Sequence, residues 1–204
     1  MISIIDYGLG NVGAFANIYR SLGIPFKLVK TADELSSASK IVLPGIGAFD
    51  WAMTKLSASG LVDQLNHLVL EKKIPVLGVC VGMQIMARNS EEGKLSGLGW
   101  IDTSVKRFEG KIFDQKMPLP HMGWNDVAAK SDCKLFIDIN RPKYYFLHSY
   151  FFEPTNNANA VGLSTYGIEF PSAIERDNIY ATQFHPEKSH NWGVKLLKNF
   201  AVYC

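Results

Sequence analysis

Ile74-Pro75-Val76-Leu77-Gly78-Val79-Cys80-Val81-Gly82-Met83-Gln84 begins as an apolar run of strand length and reaches a cysteine with glycine two residues before and two after. Gln84, Met86, Ala87 and Arg88 then predict a helix. The letters spell the nucleophile elbow G-x-Nu-x-G with cysteine as nucleophile. A side chain presented on a sharp strand-to-helix turn has strained backbone angles, and only residues without Cβ fit closely beside it. A helix N-terminus behind the thiol lowers its pKa and offers N–H groups to an oxyanion. A buried, inert cysteine at a strand end fits the same letters, so this motif alone leaves both readings open.

Two further stretches favour the nucleophile. Tyr180-Ala181-Thr182-Gln183-Phe184-His185-Pro186-Glu187 reads as a strand that delivers His185 and Glu187, two residues apart, to one face. A cysteine nucleophile needs a base, and the base needs a third group to hold its ring. Cys80, His185 and Glu187 supply those roles. Leu43-Pro44-Gly45-Ile46-Gly47-Ala48-Phe49 follows the apolar run Lys40 to Leu43, and its glycines free the backbone to aim an N–H at a reacting carbonyl oxygen.

Taken together, Pro44-Gly45-Ile46-Gly47, the segment Gly78 to Gln84, and Phe184-His185-Pro186-Glu187 resemble the class I (triad) glutamine amidotransferases. Ile5-Asp6-Tyr7-Gly8-Leu9-Gly10-Asn11, Pro120-His121-Met122-Gly123-Trp124-Asn125 and His148-Ser149-Tyr150 narrow the likeness to glutaminase subunits that serve histidine biosynthesis. The likeness runs from Ile5 to about Lys188. It implies hydrolysis of L-glutamine to glutamate and ammonia by the triad Cys80, His185 and Glu187. It assigns the oxyanion to the N–H of Val81 and to Gly45, Ile46 and Gly47, and glutamine binding to Gln84 and the backbone of His148, Ser149 and Tyr150. It places Asn11, Trp124, Asn125, Tyr145 and Lys188 toward a barrel-shaped cyclase/synthase subunit in a heterodimer. That subunit takes ammonia through a tunnel and makes imidazole glycerol phosphate and AICAR. An oxyanion loop reset when the partner binds its own ligand is also implied. No cofactor and no metal are expected. The same chemistry feeding another synthase, such as a sugar amidotransferase of surface-polysaccharide assembly, is the alternative, and Val81, where leucine is frequent, does not choose between them.

Composition sets the outer bounds. A chain of 204 residues has room for one sizeable core, and we expect one amidotransferase domain over residues 1–204. A net charge of +2 favours neither nucleic acid nor an anionic membrane as partner. No apolar run approaches the ~20 residues of a spanning helix. Three scattered cysteines, Cys80, Cys133 and Cys204, make no disulfide framework. A reduced, cytoplasmic protein is expected, with Cys133 and Cys204 inert.

In chain order, strands are expected at Ile2 to Asp6, Pro25 to Val29 and Ile41 to Leu43, before the elbow strand. Helices are expected over Val12 to Leu22, Ala32 to Ser39, Ala48 to Leu56 and Leu61 to Lys72, with His67 structural. The alternation predicts an α/β fold with a mostly parallel central sheet and helices on both faces. Gly8-Leu9-Gly10-Asn11-Val12-Gly13 is a literal G-x-G-x-x-G with Asp33 and Glu34 about twenty residues on, which raises a nucleotide-binding or scaffold reading from another class. Glu91-Glu92-Gly93-Lys94 reads as a solvated loop without a role. Trp100 to Val127, including the β-type runs Thr103 to Phe108 and Lys111 to Phe113, predicts a smaller antiparallel layer. His121 has no partner at metal spacing and is read as structural or interfacial. Tyr144 to Phe152 is an aromatic-rich strand, Ala160 to Tyr166 and Phe170 to Arg176 a hairpin, and Trp192 to Tyr203 a closing amphipathic helix.

Overall fold

The structure is a computed structural model that describes residues 1–109, 118–130, 132–153 and 159–204. Continuous apolar runs make the strands that are buried on both faces, as parallel strands must be. They are β1 (Ile2–Ile5), β3 (Lys40–Gly45) and β4 (Val76–Cys80), with β2 (Phe26–Val29) half-covered at the edge. The rest of the chain supplies β5 (Asn89–Ser90), β6 (Ser104–Arg107), β7 (His121–Asp126), β8 (Ala128–Ala129), β9 (Lys143–His148), β10 (Tyr150–Phe152), β11 (Ala160–Tyr166), β12 (Ile168–Arg176) and β13 (Ile179–Thr182). The central sheet has eight strands in the order β2-β1-β3-β4-β13-β12-β11-β8. β2 through β13 run parallel, and β12, β11 and β8 continue antiparallel. The α/β expectation with a mostly parallel sheet holds.

Helices bury residues at helical spacing. α1 (Val12–Ser21) buries Phe15, Ala16 and Tyr19. α3 (Phe49–Ala58) buries Phe49, Ala52, Met53 and Leu56, and α6 (His190–Tyr203) buries Leu196, Leu197 and Phe200. Three expected helices come out shorter. α2 (Ala32–Leu35) opens with a Thr31–Glu34 capping box and ends after one turn, where Lys27 Nζ donates to the Glu34 carbonyl and the Ser37 hydroxyl. The helix expected from Leu61 to Lys72 is α-helical only in α4 (Val62–Asn66), then widens to a π-turn over His67–Glu71, closed by Lys72 N–H donating to the His67 carbonyl at 3.0 Å. His67 there meets Glu71 at 2.8 Å and reaches no site.

The helix after the elbow is the third. α5 (Val81–Gln84) is one turn long. The carbonyls of Ile85, Met86 and Ala87 accept instead from Leu98, Ile101 and Gly99. Tertiary hydrogen bonds override the helix propensity of Met86, Ala87 and Arg88, so the elbow has one turn of amides behind it and not a long helix dipole.

The appended layer is two pieces. β7 and β9 form an antiparallel ribbon, His121 opposite His148 at one end and Asp126 opposite Lys143 at the other. β6 pairs antiparallel with β10 but parallel with β5, so the layer is mixed and not purely antiparallel. The run Lys111 to Phe113 lies outside the described residues. The hairpin β11–β12 turns at Gly167, whose φ of +71° suits glycine, and β12 starts at Ile168, two residues before the expected Phe170.

Candidate active site

Cys80 ends β4 and precedes α5 with φ 56° and ψ −114°. A residue with a side chain is held there at a cost of about 1–3 kcal/mol, so its neighbours must over-determine it. They do. A Cβ on Gly82 would run into the Leu43 carbonyl, and one on Gly78 would sit 2.8 Å from the Gly82 carbonyl oxygen. Gly45 lies directly opposite Cys80 in the sheet, and a Cβ there would strike the Gly82 amide. Gly45 is therefore a packing position beneath the elbow.

His185 does not reach Cys80 from a strand. β13 stops at Thr182, and Pro186–Lys188 form a 3₁₀ turn. Proline at the first helical position starts a turn, so His185 and Glu187 do not share a strand face, yet they still meet. His185 Nδ1 lies 2.8 Å from Glu187 Oε1, with both side chains almost wholly out of water. The His185 N–H donates to the Tyr145 carbonyl at 2.9 Å, and the Ser189 hydroxyl donates to the His185 carbonyl at 2.6 Å, fixing the turn. With Nδ1 committed to Glu187, Nε2 is the ring nitrogen left for the Cys80 sulfur. Burial disfavours the imidazolium, but the neighbouring Cys80 sulfur and the Glu187 carboxylate outweigh it and push the His185 pKa up to about 10.

These groups open into a cleft of about 280 Å³. Its lining brings Cys80, Val81, Gln84 and His185 together with Ile46 and Gly47, with Leu147, His148, Ser149 and Tyr150, and with Glu92, Pro120 and Lys188. Gly47 has φ +87°, and the Tyr7 hydroxyl anchors this loop by donating to the Pro44 carbonyl at 2.9 Å. Gly10 packs on the same proline: a Cβ there would lie 2.7 Å from Pro44 Cβ. Gly13, which in a dinucleotide fingerprint allows close helix packing, has nothing within 4 Å of such a Cβ. The G-x-G-x-x-G letters thus serve loop packing.

Behind the His148–Tyr150 side of the cleft runs a directed hydrogen-bond chain. The Tyr150 carbonyl can only accept. His148 Nδ1 lies 2.8 Å from it and must donate, which leaves Nε2 to accept from His121 Nδ1 at 2.9 Å. His121 Nε2 then accepts from the Asn125 amide at 3.3 Å. Burial pushes both histidines down, His121 to about 4 and His148 to about 3, so the chain is neutral. His121 has hydrogen-bond partners inside the chain, which fits the structural one of its two expected readings.

Of the residues expected at the interface, Lys188 lines the cleft and lies 5.8 Å over the Tyr145 ring, which meets Trp124 edge-on at 6.4 Å. Trp124 also stacks on His190, 5.3 Å away and 7° from parallel. Asn11 caps α1 through Ala14 N–H, and Asn125 donates to the Thr165 carbonyl, so both have internal work. Glu92, read as part of a loop without a role, is a correction: its Oε2 accepts from Phe49 N–H at 2.8 Å and it faces the cleft. Asp50 clamps the loop by accepting from Lys94 and Leu95 N–H groups. Sequence reasoning also passed over Tyr7, Leu147, Pro120 and Gln183. Gln183 stood in the quoted His185 stretch, but its partners lie about a hundred residues away. Among the described residues no group of three or more His, Cys, Asp or Glu is placed to hold a metal ion.

An elbow cysteine, a buried His–Glu pair and a facing glycine loop at the carboxyl ends of parallel strands define a thiol-dependent amide-cleaving class. The chain belongs to the class-I glutamine amidotransferase family, whose model matches residues 3–204. It is 52% identical over 202 residues to the imidazole glycerol phosphate synthase subunit HisH of Leptospira interrogans, covering 98% of this chain and 99% of that protein. HisH of Bdellovibrio bacteriovorus is 50% identical over the same shares. Among solved structures, a glutamine amidotransferase superposes with a TM-score of 0.73 at 17% identity, covering 98% and 99% of the two chains. The Thermotoga maritima PurLQS structure gives 0.72 at 15%, covering 98% and 96%. At such identities these two speak for the fold alone. Among the described residues no helix is long and apolar enough to cross a membrane.

Proposed function

We propose that residues 1–204 act as one glutamine amidotransferase domain, the glutaminase subunit of an imidazole glycerol phosphate synthase working in the cytoplasm, where its thiol stays reduced. The observation that carries the reading is Cys80 held at positive φ in one cleft with His185, itself 2.8 Å from Glu187. The Cys80 thiolate attacks the side-chain amide carbon of L-glutamine. The N–H of Val81 and one from the Ile46-Gly47 loop receive the oxyanion. His185 hands its proton to the departing ammonia, and Glu187 keeps the ring oriented. Water, deprotonated by His185, then cleaves the glutamyl thioester to glutamate. The backbone of His148, Ser149 and Tyr150 and the side chain of Gln84 grip the substrate, and Glu92 complements its α-ammonium.

Ammonia leaves toward a HisF-like barrel subunit bound as a heterodimer. Support comes from the β7–β9 ribbon: Met122 is paired with Leu147 and Trp124 with Tyr145, and Met122, Trp124 and Leu147 are exposed large apolar side chains. Such a patch suits a protein partner, and Leu147 joins it directly to the cleft. Glutamate release by the purified chain, with and without a histidine-pathway cyclase, tests the reading. Loss in Cys80→Ala and stimulation by the cyclase support it. Activity that this cyclase cannot raise would move the ammonia to another synthase.

A further inference from the structure

Gln183 is fully buried, and its two amide atoms face two different parts of the site. Gln84 Nε2 lies 3.0 Å from the Tyr150 carbonyl oxygen and 3.0 Å from Gln183 Oε1, while Gln183 Nε2 lies 3.9 Å from the Cys80 sulfur. The orientation of both amides follows from one atom. The Tyr150 carbonyl only accepts, so Gln84 must present its NH₂ there. The Gln183 atom within reach of that same NH₂ must then be its oxygen, which turns the Gln183 NH₂ toward the sulfur. Gln84 spends its donors inward and keeps its own carbonyl oxygen for the cleft it lines.

From this geometry we propose that Gln183 is a positioning residue for the hydrolysis, donating an N–H to the Cys80 sulfur while its carbonyl oxygen fixes the amide of Gln84. The proposal rests on Cys80 being the nucleophile. An N–H to sulfur contact of this length is weak to a thiol, and it strengthens as charge gathers on the sulfur. The donor therefore favours the thiolate and holds the sulfur in place. Water does not compete for the Gln183 amide, which is fully buried. Its backbone N–H is taken by the Ser172 carbonyl at 2.9 Å, so the main chain cannot shift to release the side chain.

Gln183→Glu separates the two roles. One carboxylate oxygen still accepts from Gln84, but the other sets a negative charge beside the sulfur. We expect the pH midpoint of Cys80 alkylation by iodoacetamide, read without substrate, to rise by about one unit, and kcat to fall by about tenfold or more, with KM little changed. Gln183→Leu loses both contacts and should raise KM as well. Wild-type alkylation midpoint and kcat in a folded Gln183→Glu protein would overturn the proposal. If neither variant folds, the Gln183 side-chain amide resonance of the unaltered protein is followed instead. It should shift at the pH where alkylation switches on, and a resonance that ignores Cys80 ionisation would refute the contact. A Cys80→Ala protein that kept full glutaminase activity would instead remove the nucleophile reading itself.

Discussion

His185 Nδ1 and Glu187 Oε1 are 2.8 Å apart although only Pro186 separates the two residues, because the chain turns between them instead of running on as a strand. Among the described residues, the second carboxylate oxygen of Glu187 is buried and meets no hydrogen-bond partner. Glu187 is thus committed to one ring nitrogen. Glu187→Gln can offer an NH₂ where an acceptor is needed, which favours the wrong tautomer. We expect kcat to fall by about 10²-fold, less than for Cys80→Ala, with KM preserved in steady-state kinetics. A drop in KM affinity at unchanged kcat would contradict this role.

The raised pKa of His185, about 10, rests on Cys80 and Glu187 overcoming burial. Removing the sulfur in Cys80→Ala leaves burial less opposed. The imidazole titration, followed by nuclear magnetic resonance, should move down from about 10 in that variant. An unchanged midpoint would mean that Cys80 and His185 are not paired.

His121 and His148 predict acid sensitivity. Both are neutral when folded, with pKa values lowered to about 4 and about 3, against about 6.5 in an unfolded chain. Below pH 6.5 the unfolded state binds protons that the native state refuses. The stability from keeping them neutral is therefore complete above about 6.5 and is lost as pH falls toward about 4. The slope is about 1.4 kcal/mol per pH unit for each histidine. Urea unfolding at pH 7, 6 and 5 reads it directly, and His121→Phe should reduce the slope.

Gly82 is the most restrictive position of the elbow. An alanine methyl would meet the Leu43 carbonyl oxygen, a backbone atom that cannot swing away. We expect Gly82→Ala to destabilise by about 3 kcal/mol or more, with a lower Tm and lost activity. Gly13→Ala, with open space around it, should be tolerated.

Trp124 is exposed on the ribbon and packs against Tyr145 and His190. Trp124→Ala should weaken binding of the cyclase subunit by about tenfold or more in a calorimetric titration. Unaltered affinity would move the interface elsewhere.

The elbow was legible because its requirements are local: the glycines at 78 and 82 flank Cys80 within five letters, and each answers a steric demand of the same turn. The parallel sheet was legible for a like reason, since strands such as β4 are apolar along their whole length. What escaped depends on partners far along the chain. The helix after Gln84 stops because carbonyls at 85–87 bond to amides at 98–101. Glu92 works through Phe49, forty-three positions away, and Gln183 through Cys80, a hundred and three away. The His121–His148 contact appears only once β7 and β9 are in register. His185 and Glu187 meet as their spacing predicts, but through a proline turn and not along a strand.

The most direct measurement is glutamate formation from glutamine by wild-type and Cys80→Ala protein, each with a histidine-pathway cyclase and its nucleotide ligand. The account predicts turnover in the wild-type complex and none above background in the variant, with the variant still binding the cyclase. Glutamate formed at the wild-type rate by Cys80→Ala would contradict it.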